Sequence, residues 1–250
     1  MYTRVKTDAE IDAMRKGGKM LAAVLNILKD EVKEGVTAKD LDNIAARELK
    51  KLGGQAAFLN YEGFPASICI SVNDEVVHGI PKETTIIKDG DIVSMDFGVT
   101  YKGMITDGAI SVICGKGTQQ TRDLLRYTEQ SLLEGIDVIK DGCHAGDIGY
   151  AIEKVLNAHK YGIVRDLVGH GVGHSVHEDP NIPNYGRKNT GAQLTKGMTI
   201  AIEPMATLGR ESVVIDPDRW TVRTRDCSLA AHFEHTVLVT ENGYEILTQI

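Results

Sequence analysis

Two aspartates, Asp96 and Asp107, lie in the segment DIVSMDFGVTYKGMITDGAISVI, residues 91–113. Ile92, Val93 and Met95 precede Tyr101-Lys102-Gly103, and Ile105, Ile110, Val112 and Ile113 follow it, which predicts a β-hairpin. If the loop holds an even number of residues, both aspartates fall on one face of the ribbon, nearly opposite each other, because side chains alternate with a period of two. Facing like charges destabilise a sheet, and burying one costs more, so the pattern calls for a cation between them. The alternative is two solvated aspartates on an exposed face. Further ligands elsewhere decide between the two. GHGVGHSVHEDP, residues 169–180, spaces His170, His174 and His177 four and three apart, as on a zinc-binding helix. Gly169, Gly171 and Gly173 oppose that helix by about 3 kcal/mol relative to alanine, so a strand and loop are expected, with glycines that let backbone approach a ligand. TIAIEPM reads as a short strand ending in Glu203, and HFEHTVLVT opens another with Glu234. Four carboxylates with histidines begin to resemble a dinuclear metal site.

The elements that must hold these residues can be read in chain order. Ile11, Met14, Gly18, Leu21, Leu25, Leu28 and Val32 recur three and four apart, which predicts a long amphipathic helix ended by Gly35. A second helix starts at the N-cap Thr37, with Asp40 three residues on, and stops at Gly53-Gly54. Residues 67–72 alternate like a strand, and Asn73-Asp74 provides a turn before Val76, Val77 and His78. A histidine beside Gly79 is by itself more often a satisfied or surface residue than a catalytic one. Phe58, Tyr61 and Phe64 cluster in a chain with few aromatics; such a cluster fits core packing or, between Gly63 and Pro65, an apolar ligand pocket. Helical patterns return through Leu125, Leu132, Ile136 and Ile139, then through Ile148, Ile152, Val155 and Leu156. The stretch from Lys33 aligns with that from Lys140 at one offset of 107 positions, matching Gly35 with Gly142, Ala38 with Ala145, Asp40 with Asp147 and Leu49 with Leu156. That period is too long for a solenoid and implies two related α+β halves, about 9–115 and 119–248, sharing one sheet with helices on one face.

At 250 residues with no Pro/Ser-rich linker, a single compact domain over 1–250 is expected. A net charge of −7 argues against nucleic acid as a partner. No stretch is long and apolar enough for a membrane span, and the start shows no signal-peptide core, so a cytoplasmic protein is expected. Cys69, Cys114, Cys143 and Cys227 are scattered, and reduced thiols are expected.

Taken as an ordered set, VNDEVVHGIP around His78, KDGDIVSMDFGV around Asp96, the TDGA of Asp107, GHGVGHSVHEDP, AIEPM around Glu203 and HFEHTVLVT around Glu234 resemble the type I methionine aminopeptidases over nearly the whole chain. The resemblance implies the pseudo-two-fold pita-bread α+β fold, with a central antiparallel sheet, helices on its outer face and a dinuclear metal site on the inner one. It implies two divalent ions per subunit, cobalt, manganese, iron(II) or zinc, with Asp96 on one, Asp107 and Glu234 shared, and His170 with Glu203 completing the second. It implies metal-activated hydroxide attack on the first peptide bond, removing the initiator methionine when the second residue is small. His177 would bond the carbonyl oxygen, His78 would contact the scissile nitrogen, and Glu203 would shuttle the proton. Phe58, Tyr61, Phe64, Cys69 and Trp220 match the methionine pocket. The implied partners are a nascent chain or peptide with a free amino-terminal methionine and the ribosome; a monomer is expected. Val176 departs from a common phenylalanine and His232 from a common glutamine. An X-Pro peptidase, or a non-catalytic binding protein of the same fold, is the alternative.

Overall fold

Thr7 opens the first helix with a capping box: its hydroxyl accepts the Glu10 N–H, and the Glu10 carboxylate accepts the Thr7 N–H at 2.7 Å. The computed structural model describes residues 5–249; residues 1–4 and 250, which the expected 1–250 domain includes, lie outside the described residues. Helix α1 (Asp8–Glu31) buries Met14, Leu21, Leu25 and Leu28 and is capped by Val32, short of the expected stop at Gly35. The reason is tertiary. The chain from Val36 to Ala38 already bonds residues 85–87, and Gly35, at φ 89°, donates its N–H to the Ile87 carbonyl. Helix α2 (Ala38–Leu52) starts at the Thr37 cap and ends at Gly53 in the left-handed region, as its sequence predicts.

Strands β1 (Gln55–Ala56), β2 (Cys69–Val72) and β3 (Glu75–Val77) lead into the long hairpin of β4 (Ile92–Tyr101) and β5 (Met104–Ile113). Its loop is the two residues Lys102-Gly103, with φ 50° and 80°, the pair of positive values a type I′ turn needs. Two more helices follow, α3 (Gln119–Asp137) and α4 (Ala145–Ala158). Leu124 rather than Leu125 is buried on α3, and Ile139 lies past its end. The remaining strands are β6 (Gly162–Ile163), β7 (Gly169–Gly171), β8 (Glu178–Ile182), β9 (Thr199–Ile202), β10 (Met205–Thr207), β11 (Val213–Ile215), β12 (Val222–Thr224), β13 (Ala230–His232), β14 (Glu234–Val239) and β15 (Tyr244–Ile246).

The main sheet runs β1-β4-β5-β14-β9-β7-β8, with β2 beside β4 and β15 beside β14; two three-stranded sheets, β13-β10-β6 and β11-β12-β3, stand apart from it. On one face, Leu21, Leu41 and Leu49 of α1 and α2 pack on Val93, Met95 and Phe97. On the same side, Leu132 and Ile152 of α3 and α4 pack on Ile200, Ile202 and Val237. This is the expected α+β arrangement, one helix-covered face and one left for chemistry. The bonds that seat α2 recur 107 positions on: Gly35 to Ile87 and Gly142 to Leu194, Ala38 to Thr85 and Ala145 to Ala192. Among the described residues no helix is long and apolar enough to cross a membrane.

Candidate metal centre

Register alone places five polar side chains on the uncovered face. Phe97 turns to the helices, so its neighbour Asp96 turns away from them. Asp96 pairs with Ala109, two residues from Asp107, so both aspartates share a face, diagonally rather than directly opposed. Ala109 pairs in turn with Glu234 on β14. On β9, Ile200 and Ile202 face the helices, so Ala201 and Glu203, the residue after the strand, face the other way. His170 on β7 pairs with Ala201 and lies on that face too. The expected strand-and-loop reading of residues 169–180 is what the chain adopts, and the three histidines share no helix.

One ligand atom from each of Asp107, His170 and Glu234 lies within 4.8 Å of the others, and His170 Nε2 is 3.4 Å from Glu203 Oε1. Thr236 pins Asp107 from the next strand: its hydroxyl accepts the Asp107 N–H at 2.8 Å and donates to the Asp107 carbonyl at 2.7 Å. Burial first, then neighbouring carboxylates, pushes Asp96, Glu203 and Glu234 well above the ordinary carboxylate range, and burial raises Asp107. Asp96 Oδ1 and Glu234 Oε1 are buried with no hydrogen-bond partner. Unpaired buried carboxylate oxygens are costly unless a cation answers them. His170 Nδ1 lies 2.9 Å from the Gly171 carbonyl, which assigns the proton to Nδ1 and leaves the Nε2 lone pair facing Glu203. Burial holds this imidazole neutral, down to about 3. Oxygen-rich donors with one imidazole fit a divalent transition ion.

The same cavity, about 160 Å³, is lined by Asp96, Asp107, His170, Glu203 and Glu234 at one end and by Phe58, Tyr61, Phe64, Cys69, Val176 and Trp220 at the other, with His78 and His177 also on its wall. Every residue that the resemblance assigned to the site therefore lines one space, and His174 lies outside it. Phe58 lies over Gly98, where a Cβ would come within 2.6 Å of its ring. Phe64 meets Trp220 edge-on at 5.2 Å, and His78 meets it edge-on at 6.3 Å. His78 has φ 58°, and Gly79 follows it because a Cβ there would stand 2.2 Å from the Ile70 carbonyl oxygen. Burial, then the nearby His177, pushes His78 down to about 4. His177 Nδ1 lies 3.0 Å from the Tyr61 hydroxyl, and its ring stands 4.4 Å from that of His170. All four cysteines are unbridged, and Cys69 is buried in the cavity wall.

Three residues at or beside the site were not singled out by sequence. Glu62 lines the mouth on a loop of left-handed residues, Asn60, Glu62 and Gly63, of which only the glycine announces its conformation. Thr236 could have been found as the residue two past Glu234 on the same strand face. Asn184 donates to the Glu203 carbonyl at 3.0 Å across a non-local contact that no spacing encodes.

The model of metallopeptidase family M24 matches residues 12–241, and the chain belongs to that family. Within it, the methionine aminopeptidase of Aquifex aeolicus is 44% identical, with all of both chains covered. The crystal structure of methionine aminopeptidase from Thermotoga maritima superposes with a TM-score of 0.98 at 44% identity, covering 99% of this chain and 100% of that one. A Xaa-Pro dipeptidase from Bacillus anthracis, 22% identical with a TM-score of 0.80, shares the fold, and the match covers 99% of this chain but 62% of that one. The architecture is the pita-bread fold that the motifs implied.

Proposed function

We infer that the chain is a metal-dependent aminopeptidase that removes methionine from the amino terminus of nascent proteins and peptides, preferably before a small second residue. The observation that carries this reading is a single cavity with a carboxylate-histidine cluster at one end and an apolar slot at the other. Asp96, Asp107, His170, Glu203 and Glu234 would hold two divalent ions, of cobalt, manganese, iron(II) or zinc, with Asp107 and Glu234 shared between them. When bound, such ions lower the pKa of a water and polarise a carbonyl.

The chain's own groups do the rest. Phe58, Tyr61, Phe64, Cys69 and Trp220 take up an unbranched thioether side chain, which makes favourable sulfur-aromatic contacts. The Tyr61 hydroxyl, donating to His177 Nδ1, leaves Nε2–H to meet the carbonyl oxygen as negative charge develops there. His78, held neutral, contacts the nitrogen of the bond being cut, and Glu203 takes the proton released as water adds to the carbonyl carbon and delivers it to that nitrogen as the C–N bond breaks. The substrate is a chain with a free terminal amine, delivered at the ribosome or as a peptide, and the enzyme works as a cytoplasmic monomer. The catalytic unit is one domain of two related halves, about 9–115 and 119–248.

Four peptides test the reading under manganese: Met-Ala-Ser, Met-Leu-Ser, Val-Ala-Ser and acetyl-Met-Ala-Ser. Only the first should release its first residue efficiently, and exhaustive chelation should abolish that release until metal is returned. Cleavage of the acetylated peptide, or full activity without metal, would overturn it.

A further inference from the structure

His177 reaches the cavity from residues 173–177, which are neither helix nor strand. A donor acting in a transition state must be held within a fraction of an ångström, so something must fix this loop. Its backbone leans on Glu178: one carboxylate oxygen accepts the N–H of His174 at 2.6 Å and that of Ser175 at 3.1 Å. The other oxygen meets Lys6 Nζ at 2.9 Å, with the two side chains 0% and 1% exposed. Lys6 also fills the space beneath the loop, since a Cβ on Gly173 would stand 2.4 Å from its Cε. The Gly173 carbonyl accepts the Ile105 N–H of β5 at 2.7 Å. Outside, His174 Nε2 lies 2.8 Å from Glu10 Oε1, and Glu10 is the residue whose carboxylate caps α1. Lys6, in turn, is tied by its own N–H to the Gly197 carbonyl.

A buried ion pair contributes little to net stability compared with apolar packing, so it is better explained by the geometry it specifies. We propose that Lys6, Glu178, His174 and Glu10 form a brace between the start of α1 and the loop after β7, and that these positioning residues set the reach of His177 into the cavity. Lys6, ahead of α1, thus acts on the site without touching substrate. The proposal rests on the role assigned to His177 in the preceding reading.

The test is a double-mutant cycle of Lys6→Met with His177→Ala, read as kcat, KM and manganese affinity on Met-Ala-Ser, together with the ¹⁵N resonances of the His177 ring. Lys6→Met alone should lower kcat on the order of tenfold to a hundredfold with metal affinity unchanged, because displacement of an acting group is felt in turnover. In the His177→Ala background the same change should have less than about a twofold effect, as expected of residues that act as one unit. His174→Ala, which keeps the buried pair, should show the same pattern more weakly and decides the question if Lys6→Met does not fold. Equal losses in both backgrounds, loss of metal, or an unaltered kcat would overturn the brace. The ring resonances need no turnover: Lys6→Met should move those of His177 and leave those of His170, and unmoved His177 signals would overturn the brace even if the peptide assay had already refuted the aminopeptidase reading.

Discussion

The first half of the molecule joins its two ligand-bearing strands by two residues, whereas the second half joins its pair by a long excursion. β4 and β5 meet at Lys102-Gly103, so Asp96 and Asp107 are brought together locally. β9 and β14 pair in the same antiparallel sense, Thr199 with Leu238 as Ile92 with Ile113. Between Ile202 and Glu234, however, the chain leaves to build β10, β11, β12 and β13 and brings Trp220 to the cavity on the way. Glu203 stands 107 positions after Asp96, the offset at which the helix-seating hydrogen bonds repeat. The four carboxylates thus come from the strand pairs that the two halves have in common, and Trp220 from the excursion where they differ.

The largest effect should come from breaking the common part. Asp107→Asn should cut turnover and manganese affinity by orders of magnitude, and more than Asp96→Asn, because Asp107 would serve both ions and is clasped by Thr236 of the other half. A near-normal metal titration of Asp107→Asn would remove it from the centre. Next comes a group outside the four carboxylates: His177→Ala should lower kcat by about a hundredfold while metal content stays intact. If that variant loses metal, His177 is a ligand and belongs with the carboxylates. The smallest effect sharpens the comparison at the helix caps. Thr37 Oγ1 accepts the Asp40 N–H at 3.0 Å, while at His144 the capping bond runs only from its N–H to Asp147 at 2.8 Å. Thr37→Ala should therefore destabilise by about 1 kcal/mol and His144→Ala by a few tenths, about the loss of a cap against its absence. Urea titration measures both, and equal losses would erase the asymmetry.

Local rules carried the sequence reading where the physics is local. Thr37 and Gly53 bound α2 because capping and left-handed backbone are short-range demands. Asp96 and Asp107 could be set on one face because period-two alternation and an even turn suffice. Glu203, His170 and Glu234 are different: nothing in their own neighbourhoods says that β9 lies between β14 and β7, and motif resemblance supplied their grouping. The stop expected at Gly35 failed for the same reason, since contacts with residues 85–87, far along the chain, end α1 early. Lys6 and Glu178 meet across an even longer gap, and a lone lysine near the start of a chain carries no mark of burial.

The five candidate ligands come from strands scattered from β4 to β14, with Asp96 and Asp107 in one half and His170, Glu203 and Glu234 in the other. Any ion they share is therefore a cross-link between chain segments that an unfolded polypeptide keeps far apart. The fold has already closed these long loops, so the ion meets no closure cost that a site within one half would avoid. Such an ion binds the assembled chain and not the unfolded one, and at a hundred times its dissociation constant it would add about 2.7 kcal/mol to the folding equilibrium. Metal availability would then shift the folded fraction of the protein as well as its turnover.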